Sequence, residues 1–177
     1  MYINYKLEGK YVNLRSATEE DAAFIIQIRN NPKISMFLPP LNVSIEQQKL
    51  WIKKQRSDKD SYYFILETPQ EEPIGTLSIY DIVDNHCEGG RSCCVGEPFA
   101  AVEANILLTD FAFNTIKLDY ITIWVYEGNK PVLALNKSYG YEWVESRVDE
   151  KGEPFRVGVL KRERGLERIE FLKKKLY

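Results

Sequence analysis

Apolar and polar positions alternate over residues 11–17 (YVNLRSA), the pattern of a strand with one buried face. The period then lengthens. In TEEDAAFIIQIRNNP, Ala22, Ile25, Ile26 and Ile28 make the apolar face of a helix, with Thr18 as N-cap and Asp21 three residues on. Glu19 and Glu20 suit the positive end of its dipole, Arg29 sits at its end, and Asn31-Pro32 stops it. After MFLPPLN, Ser44 with Gln47 reads as a capping box that opens a second helix over 44–57. SYYFILE (61–67) and PIGTLSIYDIV (73–83), separated by the polar turn TPQEE, predict an antiparallel hairpin. A further strand, RSCCVG (91–96), follows the loop DNHCEGG.

Residues 101–114 carry Val102, Ile106, Leu108 and Phe113 at roughly helical spacing, with Glu103 and Asp110 expected outside. DYITIWVYE after them is β-branched and aromatic, hence a strand. A short helix follows, capped by Asn129, with Pro131 in its first turn and Gly140 at the left-handed position that ends it. YEWVESRV and EPFRVGVL flank DEKG as another hairpin. Over 161–177, Leu166, Ile169, Leu172 and Leu176 fall at helical spacing among basic residues and predict an amphipathic C-terminal helix whose first turn Gly165 weakens. The order is strand, two helices, three strands, helix, strand, helix, two strands, helix. Such an α/β (α+β) order over 177 residues suits one domain spanning 1–177.

Charge narrows the partners. With 24 basic and 26 acidic side chains the net charge is -2, so no overall field draws the chain to nucleic acid or an anionic membrane. No apolar run approaches the roughly 20 residues of a membrane helix, and the first ten residues lack the order of a signal peptide, which together predict a cytoplasmic protein. Cys93 and Cys94 are adjacent on a strand and point to opposite faces, and Cys87 lies in the expected loop, so no disulfide framework is predicted. Three thiols and His86 give no tetrahedral spacing, and no metal is implied.

The strand, helix, strand and short helix ending in N......N.S.GY (129–141), preceded by a three-strand meander and two helices, resemble the GNAT superfamily of acetyl-CoA-dependent N-acetyltransferases. The likeness covers nearly the whole chain and is closest to the branch that acetylates ribosomal-protein N-termini and amino sugars. It implies a mixed, mostly antiparallel sheet with helices on both faces, splayed between strands 91–96 and 120–126. Acetyl-CoA would be the co-substrate, its pantetheine arm lying in the splay against the main chain of Cys94, Val95 and Gly96 and its phosphates near the helix start at Ala100 and Ala101. A strand amide would face the thioester oxygen as negative charge grows there. Asn129 answers to the family's Asn beside the pantetheine, or is a plain N-cap, or is both at once.

Two departures matter. The family's glycine-rich loop before the third helix becomes GEPFAAVEANILL, with Glu97 and Phe99 at glycine positions and no N–H on Pro98. The tyrosine that would protonate the departing thiolate is replaced by Asn136, leaving Tyr139 from the next turn, a water, or an unprotonated thiolate. Glu67, Asp81 and Glu97 are candidate general bases, each equally readable as a surface charge. By resemblance, Arg29, Phe37, Tyr80 and Arg91 line the acceptor pocket, although Arg29 also suits the end of its own helix. The acceptor would be a small-molecule amine or a peptide N-terminus, reached by direct attack without a covalent enzyme intermediate. A catalytically silent GNAT-fold domain that binds a ligand or partner is the alternative reading. An exposed stripe on the C-terminal helix is one place for a homodimer contact. Lys173–Lys175 reads as a solvated helix face.

Overall fold

A computed structural model of the chain describes residues 4–34 and 36–177. The strands are β1 (Lys6–Glu8), β2 (Asn13–Ser16), β3 (Tyr62–Glu67), β4 (Pro73–Val83), β5 (His86–Cys94), β6 (Tyr120–Tyr126), β7 (Glu142–Val148) and β8 (Pro154–Lys161). The helices are α1 (Ala22–Arg29), α2 (Ile45–Ser57), α3 (Pro98–Asp110), α4 (Lys130–Ser138) and α5 (Arg162–Leu176). A 3-10 turn (Glu19–Asp21) leads into α1, and a π-helical turn (Phe111–Thr115) ends α3. The strands form one sheet in the order β1-β2-β3-β4-β5-β6-β8-β7. All neighbours are antiparallel except β5 and β6, which are parallel and joined through α3 as a crossover.

Helices cover both faces of this sheet, and β3 shows why. Side chains two apart share a face. Tyr63 and Ile65 pack with Ala22, Ile25 and Ile52 of α1 and α2, whereas Phe64 and Leu66 pack with Ala104 and Phe111 of α3 and its π-helical end. The capping box of α2 is in place, with Gln47 N–H donating to Ser44 Oγ (3.2 Å) and Ser44 N–H to Gln47 Oε1 (2.8 Å), whereas Asn129 stands at the N-cap of α4 with no side-chain cap bond among the described residues. Thr18 N–H donates to Asp21 Oδ2 at 2.7 Å. Both terminal nitrogens of Arg15 hold the same carboxylate at 2.8 Å. Burial alone would raise the Asp21 pKa, but the Arg15 guanidinium and the Thr18 amide outweigh it and keep the carboxyl below its usual range.

Four features differ from the sequence expectation. The edge strand β1 is only three residues long, too short for its alternation to register. β5 begins at His86 rather than at 91, because Asp84 and Asn85 both take positive φ (46° and 62°) and make a two-residue hairpin turn. Cys87 therefore lies on a strand and is fully buried, and burial pushes its thiol up to about 12. Gly165 does not interrupt α5; it faces the Phe113 ring, which occupies the space a Cβ would need, so the glycine lets α5 close onto the end of α3.

The fourth correction concerns Glu103, which is fully buried rather than outside. Its carboxylate accepts the backbone N–H groups of Lys10 (2.9 Å), Tyr11 (2.6 Å) and Val12 (2.9 Å), and the Tyr177 hydroxyl donates to it as well. One side chain of α3 thus ties the β1–β2 loop and the C-terminal residue to the core. Gly9 leaves room for it, since a Cβ there would stand 2.6 Å from the Glu103 carboxyl carbon. Glu103→Ala strands these donors, each costing about 1–3 kcal/mol when left unpartnered. The variant should lose about 3 kcal/mol in urea unfolding, roughly 6–12 °C in Tm. A loss under about 1 kcal/mol would show that the clamp is dispensable.

Candidate active site

β5 and β6 pair only at His86↔Tyr120, Cys87↔Ile121 and Glu88↔Thr122. Beyond Glu88 they part: β6 continues along β8 to Tyr126, and β5 along β4 to Cys94. The divergence coincides with an irregularity in β5, where Arg91 and Ser92 stand between two rungs that Leu77 alone separates on β4. Arg91 takes φ 53°, left-handed for a non-glycine residue. Gly90 accommodates Tyr80, whose hydroxyl would lie 2.9 Å from a Cβ at that position.

A cavity of about 740 Å³ fills the opening. Residues 89–92 of β5 form one wall and residues 123–126 of β6 another. Asn105, Leu108 and Thr109 of α3, together with Asn129, Asn136 and Tyr139 in and around α4, line it further. Arg29, Phe37 and Trp51 close the side formed by α1, the following loop and α2. Two arginines line this space, with no Asp, Glu, Lys or His among the described lining residues.

One carboxylate stands just behind the wall. Glu88, on the last rung before the strands part, accepts the Tyr80 hydroxyl and, at 2.6 Å, Trp124 Nε1. Burial, then the Glu88 carboxylate, raises the Tyr80 pKa and keeps the phenol protonated. The Arg91 guanidinium lies 4.0 Å from the Tyr80 ring centroid and 5.2 Å from that of Trp51. Its Nη1 is buried without a hydrogen-bond partner among the described residues. Arg29 is buried and donates from Nη2 to Pro39 O at 2.9 Å. Tyr139 is buried too, and its hydroxyl has no hydrogen-bond partner among the described residues. Burial raises its pKa against the opposing influence of the nearby Asn105 amide. Asn136 donates its side-chain N–H to Val132 O, one turn back, at 3.0 Å.

Of the residues singled out in the sequence, Arg29, Phe37, Tyr80, Arg91, Asn129, Asn136 and Tyr139 meet at this cavity. Cys94, Val95, Gly96, Ala100 and Ala101 lie beyond its lining, at the end of β5 and the start of α3. Several of their amides are already engaged: Val95 N–H donates to Ile74 O (2.8 Å), and Ala100 and Ala101 N–H turn back to Glu97 O (2.9 and 3.4 Å). Glu67 is not at the cavity. It is buried at the end of β3, where Arg15 Nε reaches it at 2.8 Å and Lys6 Nζ at 3.8 Å, a cross-strand charge cluster. Asp81 and Glu97 are exposed and do not line the cavity. Sequence reading passed over Glu88, Trp51, Trp124 and Asn105; Glu88 stood in what read as a loop, and only the turn at Asp84-Asn85 signalled otherwise.

Residues 12–142 match the acetyltransferase (GNAT) domain family, and the chain belongs to it. No curated protein sequence matches significantly. Among solved structures, apo FdhC, a nucleotide-linked sugar GNAT, superposes with TM-score 0.84 at 25% identity, over 99% of this chain and 100% of that one. A spermidine N-acetyltransferase SpeG chimera from Vibrio cholerae and hSSAT gives 0.79 at 18%, over 89% and 99%. A GCN5-related N-acetyltransferase from Brucella melitensis gives 0.79 at 13%, over 100% and 90%. The latter two share the fold.

The Tyr139 hydroxyl makes a stability test of the site. A buried hydroxyl without a partner costs about 1–3 kcal/mol relative to its absence. Tyr139→Phe should therefore raise stability by about 1 kcal/mol in denaturant titrations of the ligand-free protein. Destabilisation by a similar amount would mean that the hydroxyl is bonded within the fold rather than held open for a ligand.

Proposed function

We propose that this chain transfers an acetyl group from acetyl-CoA to a primary amine by direct attack within the β5–β6 cavity. The observation that carries this reading is the stretch of β5 at 89–92 that leaves β6 and faces an opening of about 740 Å³. Acetyl-CoA supplies the acyl group as a thioester, and its amide-bearing arm suits a strand edge of this kind, flanked by the side-chain amides of Asn105, Asn129 and Asn136.

The chain's own groups divide the work. Main-chain N–H groups at the irregularity of β5 are fixed dipoles suited to developing oxyanion charge. Glu88 takes the proton lost by the acceptor ammonium, relayed by the Tyr80 hydroxyl that donates to it. Tyr139 keeps its proton at a buried oxygen and serves as donor to the leaving sulfur, the task Asn136 cannot perform. In balance, an N–C bond replaces a C–S bond and the acceptor ammonium loses two protons: one passes through Tyr80 to Glu88 and on to solvent, the second goes to solvent as the tetrahedral adduct collapses, and Tyr139 protonates the leaving sulfur and is reprotonated from solvent, so one proton is released per turnover. An amino sugar is the favoured acceptor, on the likeness to the nucleotide-linked sugar GNAT, ahead of a peptide N-terminus.

One observation favours the catalytically silent reading: the first turn of α3 closes on Glu97 O and contains Pro98, so it offers few amides to a pyrophosphate. Turnover separates the two. With acetyl-CoA and a panel of amino sugars, polyamines and peptides, thiol release should accompany acetylated product for at least one amine. Glu88→Gln should then lower kcat by about 10²-fold and Tyr139→Phe by about tenfold, within or near the usual range for acid–base groups. Saturable acetyl-CoA binding without product from any amine would establish the silent reading instead.

A further inference from the structure

We infer that the acceptor amine carries an anionic group, phosphate or carboxylate, and that Arg91 is the residue that selects it, with Arg29 as the second cation of the wall. The inference rests on the acetyl-transfer reading of the same cavity and adds the chemistry of the acceptor.

Arg91 is held in an unusual way. Its backbone is left-handed within the irregular part of β5, a conformation that persists in a non-glycine residue only when the surroundings impose it. The guanidinium is set against two aromatic faces, Tyr80 and Trp51, which fix its plane and restrict its rotamers. A guanidinium has five N–H donors in a rigid fork, and here Nη1 is buried with no hydrogen-bond partner among the described residues. A charged donor left unbonded away from water is unfavourable, and a carboxylate or phosphate oxygen is the ligand its geometry matches.

The surrounding charges point the same way. Arg29 lines the same cavity, and its described lining holds no carboxylate; the Glu88 charge stands behind the wall, bonded to the neutral donors of Tyr80 and Trp124. Both guanidiniums pull the Tyr63 phenol toward ionisation, against the burial that raises its pKa, as expected of a positive wall. A polyamine brought here would place additional ammonium groups beside two fixed cations. Arg91 also borders a second recess of about 450 Å³, so an anion bound to it would sit at the junction of the two spaces. That recess carries Lys54 and the exposed carboxylates Asp58, Asp60 and Asp81, the groups that would favour a polyamine and against which the inference must be tested.

With acetyl-CoA saturating, kcat/KM should be compared for a nucleotide-linked amino sugar, an amino-sugar phosphate, an amino acid, the free amino sugar and spermidine. An anionic acceptor should lead the free sugar by at least tenfold, with spermidine last; the order of the first three identifies phosphate or carboxylate as the preferred anion. Arg91→Ala should raise KM for the leading acceptor at least tenfold and bring its advantage over the free sugar close to one. Arg91→Lys, which keeps the charge without the fork, should restore part of that advantage. Spermidine as the best acceptor, or an Arg91→Ala loss equal for all acceptors, would overturn the inference while leaving acetyl transfer intact.

A binding readout separates the two claims if no amine turns over. Quenching of tryptophan fluorescence by a nucleoside diphosphate, with CoA saturating, should occur in the wild type and weaken at least tenfold in Arg91→Ala. Equal quenching in both proteins, or none in either, would remove the anion site. Failure of CoA itself to bind would count against acetyl transfer alone, and the titration would then be read without CoA.

Discussion

Main-chain groups in a sheet interior need partners, and two neighbouring strands of this sheet stop supplying them to each other after three rungs. β5 and β6 are the only parallel pair among the described strands, joined by α3 crossing behind them. Each keeps its other neighbour, so the sheet remains continuous while a wedge opens between them. The positions of the groups that β5, α3 and α4 bring to the cavity follow from that parting. Glu88 is on the last paired rung, Arg91 and Ser92 are at the irregularity just past it, and α3 and α4, which follow the diverging strands in sequence, supply the asparagines and Tyr139. A backbone edge that is unfavourable in an isolated domain becomes a place for an amide-bearing ligand to complete.

Two apolar cores flank this wedge. The α1–α2 face and the α3 face are separate apolar clusters divided by the sheet, and each is pinned by a buried carboxylate with full partners. Asp21, held by Arg15, fixes the entry to α1, and Glu103 fixes α3 against the β1–β2 loop and the C-terminal tyrosine. Neither charge is available for chemistry, because each is consumed in holding an element in place. In the proposed reaction proton transfer falls to Glu88, whose partners are a phenol and an indole rather than a guanidinium.

Much of this was readable in the sequence where local rules decide the outcome. The strand-like run YYFILE, the Ser44–Gln47 box and the turn at Gly140 each depend on residues within a few positions, and each element formed where expected. The misses depended on distant partners. Glu103 read as a surface charge because its three amide donors lie more than ninety residues away in sequence. Glu67 read as a candidate base because nothing local revealed Arg15. Gly165 read as a flaw in a helix, when its value lies in contact with Phe113. At the cavity, the resemblance placed the splay between β5 and β6 and named seven of the side chains that line it; it did not name Glu88, whose proposed role depends on Tyr80 and Trp124 reaching it from the two strands that flank its own.

The most direct test of the central claim is hydrogen–deuterium exchange of the full chain with and without saturating acetyl-CoA, followed in peptides covering 86–94. If the parted strand is where the co-substrate docks, exchange there should slow on addition of acetyl-CoA. Saturable binding that leaves those peptides unchanged, with protection elsewhere, would contradict the account.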